Sequence, residues 1–400
     1  MKNRCVINTR RGGTSALTIA ARSMLLGAPL ALFCTASVAE THGYVISWFA
    51  TATYNQNWKE ACPEDRNGGG LQLNIRNFMD IGFSREEATD MANNPALPNR
   101  EELRERVINR AIVNGKHVNV YNYPDAVPDP NIETVTGPYA YGFDLGGDSA
   151  HKFIDPETKQ KVDNQLWRAV GCTESYRAAP PQMPYPEELS WNTMTDSALA
   201  WAIQISGEDL GRDGKVTVTI SRVLQHLERD ASGGIVSGAT YVLEPVTRSH
   251  NVLQGEIKDG VLTVTPADIY LEGEMPYFAE IAIKDAHMRF KRRDDGKLIA
   301  YWGGYIDWKR FAYMYTARPA NGADTMGIYH AVKKMADADP DPATGQNRMI
   351  SATYRMEAVP AYIAELNGNV VAVSSRGPAW GAQSARVAAA DDRSPDAANP

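Results

Sequence analysis

The sequence predicts an α+β protein, mainly of antiparallel β-structure, in which a sandwich-like or curved β-sheet domain follows a loop-rich region with short helices. Two observations predict this class. Apolar and polar residues alternate in several segments between residues 187 and 308, as in strands with one buried and one solvated face. An Asp-Gly pair also precedes three of these segments, at residues 213, 259 and 295, and this dipeptide favours two-residue hairpin turns.

The composition is that of an ordinary globular chain. Its 400 residues are 43% hydrophobic and 22% charged, with a mean hydropathy of −0.38, which excludes collagen-like repeats, wholesale disorder and a polytopic membrane protein. The formal net charge is −7 and no long basic run occurs, so we expect no nucleic-acid partner. Nucleotide-binding glycine motifs and the haem-attachment motif Cys-x-x-Cys-His do not occur, so we expect no bound nucleotide and no haem.

Residues 1–39 have the features of a cleaved Sec signal peptide. Their five charged side chains are all basic, and the apolar stretch at residues 23–34 is shorter than the roughly 20 residues that span a bilayer. Small residues at positions 37–39 predict cleavage after Ala39. Twin-arginine export through Arg10-Arg11 and an uncleaved anchor are the alternatives. We therefore expect a periplasmic or secreted protein without a membrane span after signal cleavage.

Cleavage would change both the charge and the cysteine count. Loss of five of the 41 basic residues leaves 36 against 48 acidic residues, a net charge of −12. Two cysteines remain, Cys62 and Cys172, and an even number in an oxidising compartment predicts one disulfide bond. A pair of buried free thiols is the alternative. The bond would close a loop of about 110 residues and stabilise the fold by roughly 4–5 kcal/mol on the chain-entropy model.

The mature chain is expected to contain two domains. Residues 40–186 form the loop-rich region, and a proline-rich stretch at residues 179–186 predicts a stiff connector at its end. Residues 187–375 form the antiparallel β-rich domain, with one helix at residues 325–336. Residues 376–400 are rich in Ala, Asp, Ser and Pro, which predicts a disordered tail.

Two short helices are predicted in the loop-rich region from their start signals. Ser84 and Glu87 have the spacing of a capping box, in which each side chain bonds the other's backbone N–H. Asn99 and Glu102 repeat this spacing at the start of the second helix.

Two acidic loops are candidate calcium sites, because Ca²⁺ takes six to eight oxygen ligands and tolerates irregular loops. The predicted ligands are Asp144, Asp148, Asp163 and Asn164 in the first loop and Asp337, Asp339 and Asp341 in the second. The second loop is not an EF-hand, since Pro342 occupies the position of the required glycine. Solvated turns with hydrated carboxylates are the alternative for both loops.

Seven aromatic rings lie within residues 301–315, interrupted by Gly303-Gly304. Rings on a solvated sheet face would suit a polysaccharide or another flat amphipathic ligand, and the glycines would let that ligand approach the backbone. A pair of carboxylates on an upstream strand could contact the same ligand. The predicted ligand-binding residues are Tyr270, Glu272, Glu274, Trp302, Tyr305 and Trp308. The alternatives are core packing of the rings and a solvated acidic face that pairs with Arg289 or Lys291.

Short motifs in the first acidic loop resemble a known group of sequences. The stretch Gly142-Phe-Asp-Leu-Gly-Gly-Asp148, with Val162-Asp-Asn-Gln-Leu166 and Gly171-Cys172 downstream, is similar to uncharacterised exported bacterial proteins that pair an Asp-Leu-x-Gly turn with Val-Asp-Asn-Gln. The later segment Asp341-Pro-Ala-Thr-Gly-Gln-Asn347 is similar to the same proteins. The resemblance implies export and brings no function with it.

Together these features predict a non-catalytic envelope protein with calcium-stabilised loops that binds a carbohydrate-type ligand. One alternative is a secreted hydrolase or lyase that uses carboxylates of Asp144, Asp163, Glu272 or Glu274. The other is a structural component of an envelope complex. Motifs of the nucleophile-elbow and zinc-protease types do not occur, so the sequence assigns no catalytic residue.

Overall fold

The structure consists mainly of antiparallel strands with a smaller number of short helices. The computed structural model describes residues 40–56, 58–64, 67, 70–147, 149–177, 195, 199–245, 247–273, 280–316, 325–374 and 380. Its strands are β1 (Glu40–Thr51), β2 (Ala111–Val113), β3 (Lys116–Val118), β4 (Phe153–Ile154), β5 (Lys161–Val162), β6 (Trp201–Gly207), β7 (Gly214–Arg222), β8 (Thr240–Val242), β9 (Asn251–Lys258), β10 (Val261–Glu272), β11 (Glu280–Arg292), β12 (Leu298–Asp307), β13 (Ala338–Pro340), β14 (Asn347–Pro360), β15 (Tyr362–Ala364) and β16 (Val370–Ala372). Its helices are α1 (Trp58–Ala61), α2 (Gly70–Asp80), α3 (Arg85–Asn93), α4 (Arg100–Ile108), α5 (Gln165–Val170), α6 (Trp308–Thr316) and α7 (Thr325–Met335).

Several sequence predictions lie outside the described residues. These are the signal peptide, the connector at residues 179–186 and, apart from Trp380, the tail. Asp148 and Glu274 lie outside them as well. None of the described helices is long and apolar enough to cross a membrane.

Eight strands form a closed, barrel-like antiparallel sheet. Their order is β1-β6-β7-β9-β10-β11-β12-β14, and β14 pairs back with β1. Most neighbours in the sheet are also neighbours along the chain, so the sheet is a curved meander that its first strand completes. The antiparallel α+β class is therefore confirmed, and the curved-sheet alternative describes the main sheet. The sandwich-like alternative is not confirmed, because one sheet that closes on itself needs no second sheet to cover its apolar face.

The inner face of the closed sheet carries the hydrophobic core. Residues that lie directly opposite each other on paired strands share a face, and one such row runs Leu262, Phe290, Ala300 and Met356. All four side chains are buried. Phe49 of β1 contacts three further rings, with centroid distances of 5.8, 5.3 and 5.0 Å to Trp201, Trp302 and Tyr354. The main core cluster thus fills the sheet and extends into the N-terminal region, and a second, smaller cluster contains Ala111, Val120, Val127 and Met326.

The predicted hairpin turn at Asp259-Gly260 joins β9 to β10 directly. Both residues have positive φ, 50° and 76°, which is what a two-residue turn of this kind requires. The pair at Asp295-Gly296 lies in the slightly longer turn between β11 and β12, where Arg293 N–H donates to the Lys297 carbonyl. Asp213-Gly214 lies at the end of the longer connection between β6 and β7, so the predicted two-residue turn forms only at Asp259-Gly260.

The helix signals are confirmed in part. Ser84 and Glu87 form a reciprocal capping box at the start of α3. Asn99 precedes α4 but has a left-handed backbone (φ 57°) and makes no side-chain cap, so the predicted second cap does not form. Helix α7 matches the helix predicted at residues 325–336 and packs with α5 and α6 near β14.

The disulfide prediction is confirmed. Cys62 and Cys172 are bonded and both are buried, so the bond lies among core residues of the N-terminal region. It links the chain after α1 to the chain after α5 across a sequence separation of 110 residues.

Reduction of this bond should destabilise the protein substantially. We expect a loss of roughly 4–5 kcal/mol of unfolding free energy on the chain-entropy model, because the unfolded chain regains the freedom of a long loop. Urea unfolding of the oxidised and reduced protein measures the difference. A variant with Cys62→Ala and Cys172→Ala is the control and should not respond to reductant. Equal stability of the oxidised and reduced wild type would contradict the expectation.

Candidate functional site

The first acidic loop is held against the closed sheet by a buried carboxylate. Asp155 is fully buried and accepts hydrogen bonds from the backbone N–H groups of Gly142, Glu157 and Thr158. Arg289 of β11 donates to the same carboxylate at 3.2 Å. Burial favours a higher pKa for Asp155, but these hydrogen bonds and the Arg289 charge outweigh it and leave the pKa lowered. Asp155 is therefore an ionised anchor for the loop.

Two aromatic contacts complete this attachment. Tyr141 stacks on Tyr301 of β12 with a centroid distance of 4.7 Å. Phe143 covers Gly303, where a Cβ would lie 2.4 Å from the Phe143 ring. A glycine is needed at this position because only a bare backbone leaves room for the ring. The space that we assigned to a ligand at Gly303 is thus filled by the chain's own Phe143.

The attached loop brings Asp163 and Asp144 to the sheet with a lysine between them. Asp163 is 2% exposed and accepts a hydrogen bond from the Leu145 N–H at 2.8 Å. The Lys152 ammonium lies 3.4 Å from Asp163 and also contacts the exposed Asp144. Lys152 lowers the pKa of Asp144 through this contact. Its positive charge therefore compensates part of the negative charge of the two carboxylates.

Asp337, from the second acidic loop, lies near the same place. Both of its oxygens accept hydrogen bonds from Ser351 of β14, one from the N–H and one from the hydroxyl, each at 2.7 Å. The Ser351 hydroxyl oxygen in turn accepts the Gln165 N–H at the start of α5. Burial raises the pKa of Asp337, the Ser351 hydrogen bonds oppose this rise, and the negative charge of Asp163 adds to it. The two acidic loops, separate in sequence, are thus electrostatically coupled.

Tyr305 lies at the centre of these charges. Its hydroxyl donates to the Leu145 carbonyl at 3.0 Å. Burial raises the pKa of Tyr305 to about 12, and four carboxylates add to the rise. We call these four, Asp144, Asp163, Asp285 and Asp337, the carboxylate cluster. Asp285 lies 3.6 Å from His287, whose ring is next to Phe143. The site combines acidic side chains, a half-buried tyrosine, a lysine and a histidine.

The structure brings only some of the predicted calcium ligands together. Asp144 and Asp163 share Lys152, and Asp337 acts on Asp163 electrostatically, whereas Asp339 pairs with Arg348 and Asp341 accepts two N–H groups of its own turn. Among the described residues, no group of three or more His, Cys, Asp or Glu side chains is arranged to hold a metal ion. The calcium sites therefore stay predictions.

Asn164, a predicted calcium ligand, already has a structural role. It is fully buried, and its side-chain oxygen accepts the Trp167 N–H, which caps helix α5. Its amide nitrogen donates to the Tyr141 carbonyl at 2.8 Å. These two bonds join α5 to the loop that carries Asp144.

Most of the predicted aromatic platform belongs to the core. Trp302 and Trp308 are fully buried, so neither ring is presented to a ligand at the surface, and the packing alternative describes them. Trp308 instead donates its indole N–H to the Asn347 carbonyl. Tyr305 is half-buried, and Tyr313 is 67% exposed on α6.

Glu272, the member of the predicted carboxylate pair that lies within the described residues, does not have the partners that were expected. Glu272 lies opposite Glu280 in the strand register. Tyr270 donates its hydroxyl to Glu280 and has Arg248 over its ring, at 4.1 Å from the centroid. The expected cross-strand pairing of Glu272 with Arg289 or Lys291 does not occur, because the register places these residues near the far end of the β10–β11 pair.

Several residues of the site carried little signal in the sequence. Lys152, Asp285, His287 and Ser351 lie on three separate segments, with no motif spacing between them. Asp285 has a left-handed backbone (φ 50°) at an irregularity in the β11–β12 register. Such a bulge redirects side chains, but it is visible only once the strands are paired.

Comparison of the sequence with protein-family models found no match, and comparisons with curated proteins and with solved structures likewise found no significant match.

The anchoring role of Asp155 can be tested against a neighbouring ion pair. Asp155 and Glu157 lie in one loop and pair with Arg289 and Lys291 on one strand, but only the first pair is buried. We expect Asp155→Asn to cost about 3–5 kcal/mol of unfolding free energy, because it leaves a buried guanidinium without its counter-charge. Glu157→Gln should cost less than about 1 kcal/mol. Urea unfolding measures both, and similar costs would contradict the assignment.

The raised pKa of Asp337 predicts a pH dependence of stability. In the folded protein Asp337 keeps its proton to a higher pH than in the unfolded chain, where it loses the proton near pH 4. The free energy of unfolding should therefore fall as pH rises through the range between the two pKa values. Asp337→Asn should remove this fall, which urea unfolding from pH 4 upward measures.

Asp341→Asn is the matched control, since backbone hydrogen bonds lower the pKa of Asp341. Its contribution to stability has the opposite sign: it is present above the unfolded pKa and is lost as pH falls. If both variants changed the pH profile in the same direction, the electrostatic description of Asp337 would be wrong.

Proposed function

We propose that the protein is an extracytoplasmic binding protein and that the carboxylate cluster around Tyr305 holds a polyhydroxylated, carbohydrate-type ligand. The single observation that carries this proposal is the placement of acidic side chains around Tyr305: Asp144 and Asp163 share Lys152, and Asp337 is hydrogen-bonded to Ser351, which lies opposite Tyr305. Carboxylate oxygens accept hydrogen bonds from ligand hydroxyls, and a tyrosine ring packs against the apolar face of a sugar. The disulfide supports an oxidising compartment, as expected for an exported protein.

The rigidity of the site supports binding. Asp163 and Asp337 are each fixed by hydrogen bonds from the chain, and Asp155 anchors the loop that carries Asp144. A site held in one geometry loses little conformational entropy when a ligand binds. Four carboxylates against one lysine also leave the site electronegative, which favours ligands with hydrogen-bond donors over anions. Calcium is not part of this proposal, because Lys152 supplies a counter-charge to Asp144 and Asp163.

A hydrolase is the second candidate, and one observation favours it. A buried carboxyl group with a raised pKa near a second carboxyl group is the pattern of a general acid and its partner. Asp337 would be the acid and Asp163 the base or nucleophile, so this candidate differs from the one built on Glu272 and Glu274.

Affinity electrophoresis with neutral, acidic and amino-sugar polysaccharides tests the proposal. We expect Asp144→Asn to weaken binding at least about tenfold, which is 1.4 kcal/mol, because it removes an exposed acceptor of the site. Asp294→Asn is the matched control, since Asp294 is an exposed aspartate in the β11–β12 turn, outside the cluster. Equal binding by wild type and Asp144→Asn, or no binding to any polysaccharide, would contradict the proposal.

The same samples separate the remaining possibilities. Release of reducing ends from a bound polysaccharide, abolished by Asp337→Asn in a folded variant, would favour the hydrolase. A structural role would leave every polysaccharide unbound. Melting curves with calcium chloride and with EDTA test the calcium sites, which predict a higher melting temperature in calcium.

A further inference from the structure

Polar side chains gather inside one end of the closed sheet, at the opposite end of β12 from Tyr305. His42 and Tyr44 of β1 lie opposite Ile205 and Ile203 of β6, which places both on the inner face. His42 is 4% exposed and Tyr44 is fully buried. An inner face is otherwise a place for apolar side chains, so two polar ones in succession need an explanation.

Arg292 of β11 faces the same space. In the strand register Arg292 pairs with Leu298 of β12. The same row continues through Ala358 of β14 to Ile46 of β1. Arg292 is therefore on the inner face, in the row next to Tyr44, and it is 8% exposed. The interior of an eight-stranded closed sheet is just wide enough for side chains to meet across it or to hold one small ligand.

The electrostatics agree with this placement. Burial raises the pKa of Tyr44 to about 12, and the positive charge of Arg292 opposes that rise. Burial also lowers the pKa of His42, Glu40 opposes the lowering, and Arg292 adds to it. The guanidinium thus acts on both side chains of β1.

The backbone of Trp380, which lies outside the strands, approaches this end of the sheet at the turn between β9 and β10. Its carbonyl oxygen lies 2.9 Å from the position that a Cβ would take on Gly260. Val261 pairs with Lys291, so continuation of the antiparallel register puts Gly260 beside Arg292. Trp380 is 3% exposed. We call His42, Tyr44, Arg292 and Trp380 the His42 group.

Three atoms of the His42 group have no hydrogen-bond partner among the described residues. They are Nδ1 of His42, the hydroxyl of Tyr44 and the indole nitrogen of Trp380. A buried polar atom without a partner is costly, and such atoms are rare in folded proteins. Three such atoms near one end of one sheet indicate that a bound molecule supplies the missing hydrogen-bond partners.

The chemistry of the group defines what it would accept. Tyr44 and Trp380 can donate hydrogen bonds, and Arg292 supplies a buried positive charge. The lowered pKa of His42 favours the neutral ring, in which Nε2–H donates to the Glu40 carboxylate and Nδ1 is an acceptor, as the P–O–H of a hydrogen phosphate would require. Donors around a positive charge match the oxygens of a carboxylate or phosphate.

We propose that the His42 group binds an oxyanion, either a carboxylate or a phosphate group, inside this end of the closed sheet. This site lies on the inner face, whereas the carboxylate cluster around Tyr305 lies among outer-face residues. The first site is lined by carboxylates and the second contains the Arg292 guanidinium, so the two would take different ligands. The His42 group therefore stands independently of the function proposed for the carboxylate cluster.

Calorimetric titration of the full, oxidised chain with inorganic phosphate and, separately, with acetate tests the proposal at constant ionic strength. We expect saturable binding of one of these two anions at one site per chain. Tyr44→Phe should weaken that binding about tenfold, as expected for the loss of one hydrogen bond to a charged group. The same variant should melt no lower than wild type without ligand, because it removes a buried hydroxyl that has no partner.

Tyr354→Phe is the matched control, since Tyr354 is also a buried tyrosine on the inner face of the sheet. It should bind the anion as wild type does. Absence of saturable binding, equal affinity of Tyr44→Phe and wild type, or a crystal structure grown with phosphate and acetate that holds only ordered water at the His42 group would each overturn the proposal.

Discussion

The pairing of β1 with β14 is the constraint on which the rest of the structure depends. It joins the first strand of the described chain to one more than 300 residues later and turns an open meander into a closed sheet. Closure leaves no unpaired edge among the eight strands and creates an inner face that side chains can fill. The closed sheet therefore positions the core, the turns and the loops that pack on its outside.

Closure also explains why the N-terminal region has an outer face to pack on. Asp155 and Arg289 fix the first acidic loop, and Gly303 gives room for Phe143 on the strand backbone. Because β11, β12 and β14 are adjacent in the ring, side chains from the loop, from β12 and from the chain before β14 come together at Tyr305. The carboxylate cluster is thus a product of strand order, since its members are scattered in sequence.

The sequence predicted the local features well. Each of three confirmed features depends on the identity of only a few residues. They are the turn at Asp259-Gly260, the capping box at Ser84 and the disulfide between Cys62 and Cys172. Burial was predicted less well. Trp302 and Trp308 were as consistent with a surface platform as with a core, because periodicity within one strand does not say which face another part of the chain covers.

The sequence by itself determined the class of structure, the hairpin turn at Asp259-Gly260 and the acidic, cysteine-poor character of the chain, because these follow from short-range geometry and composition. Only the tertiary structure decided that the sheet closes, that Lys152 lies between Asp144 and Asp163, and that Asp337 joins them. The physical reason is that closure and the approach of Asp337 depend on the summed register of many strands, which no single stretch of sequence encodes. The Lys152 contacts depend on the loop geometry that Asp155 and Arg289 fix.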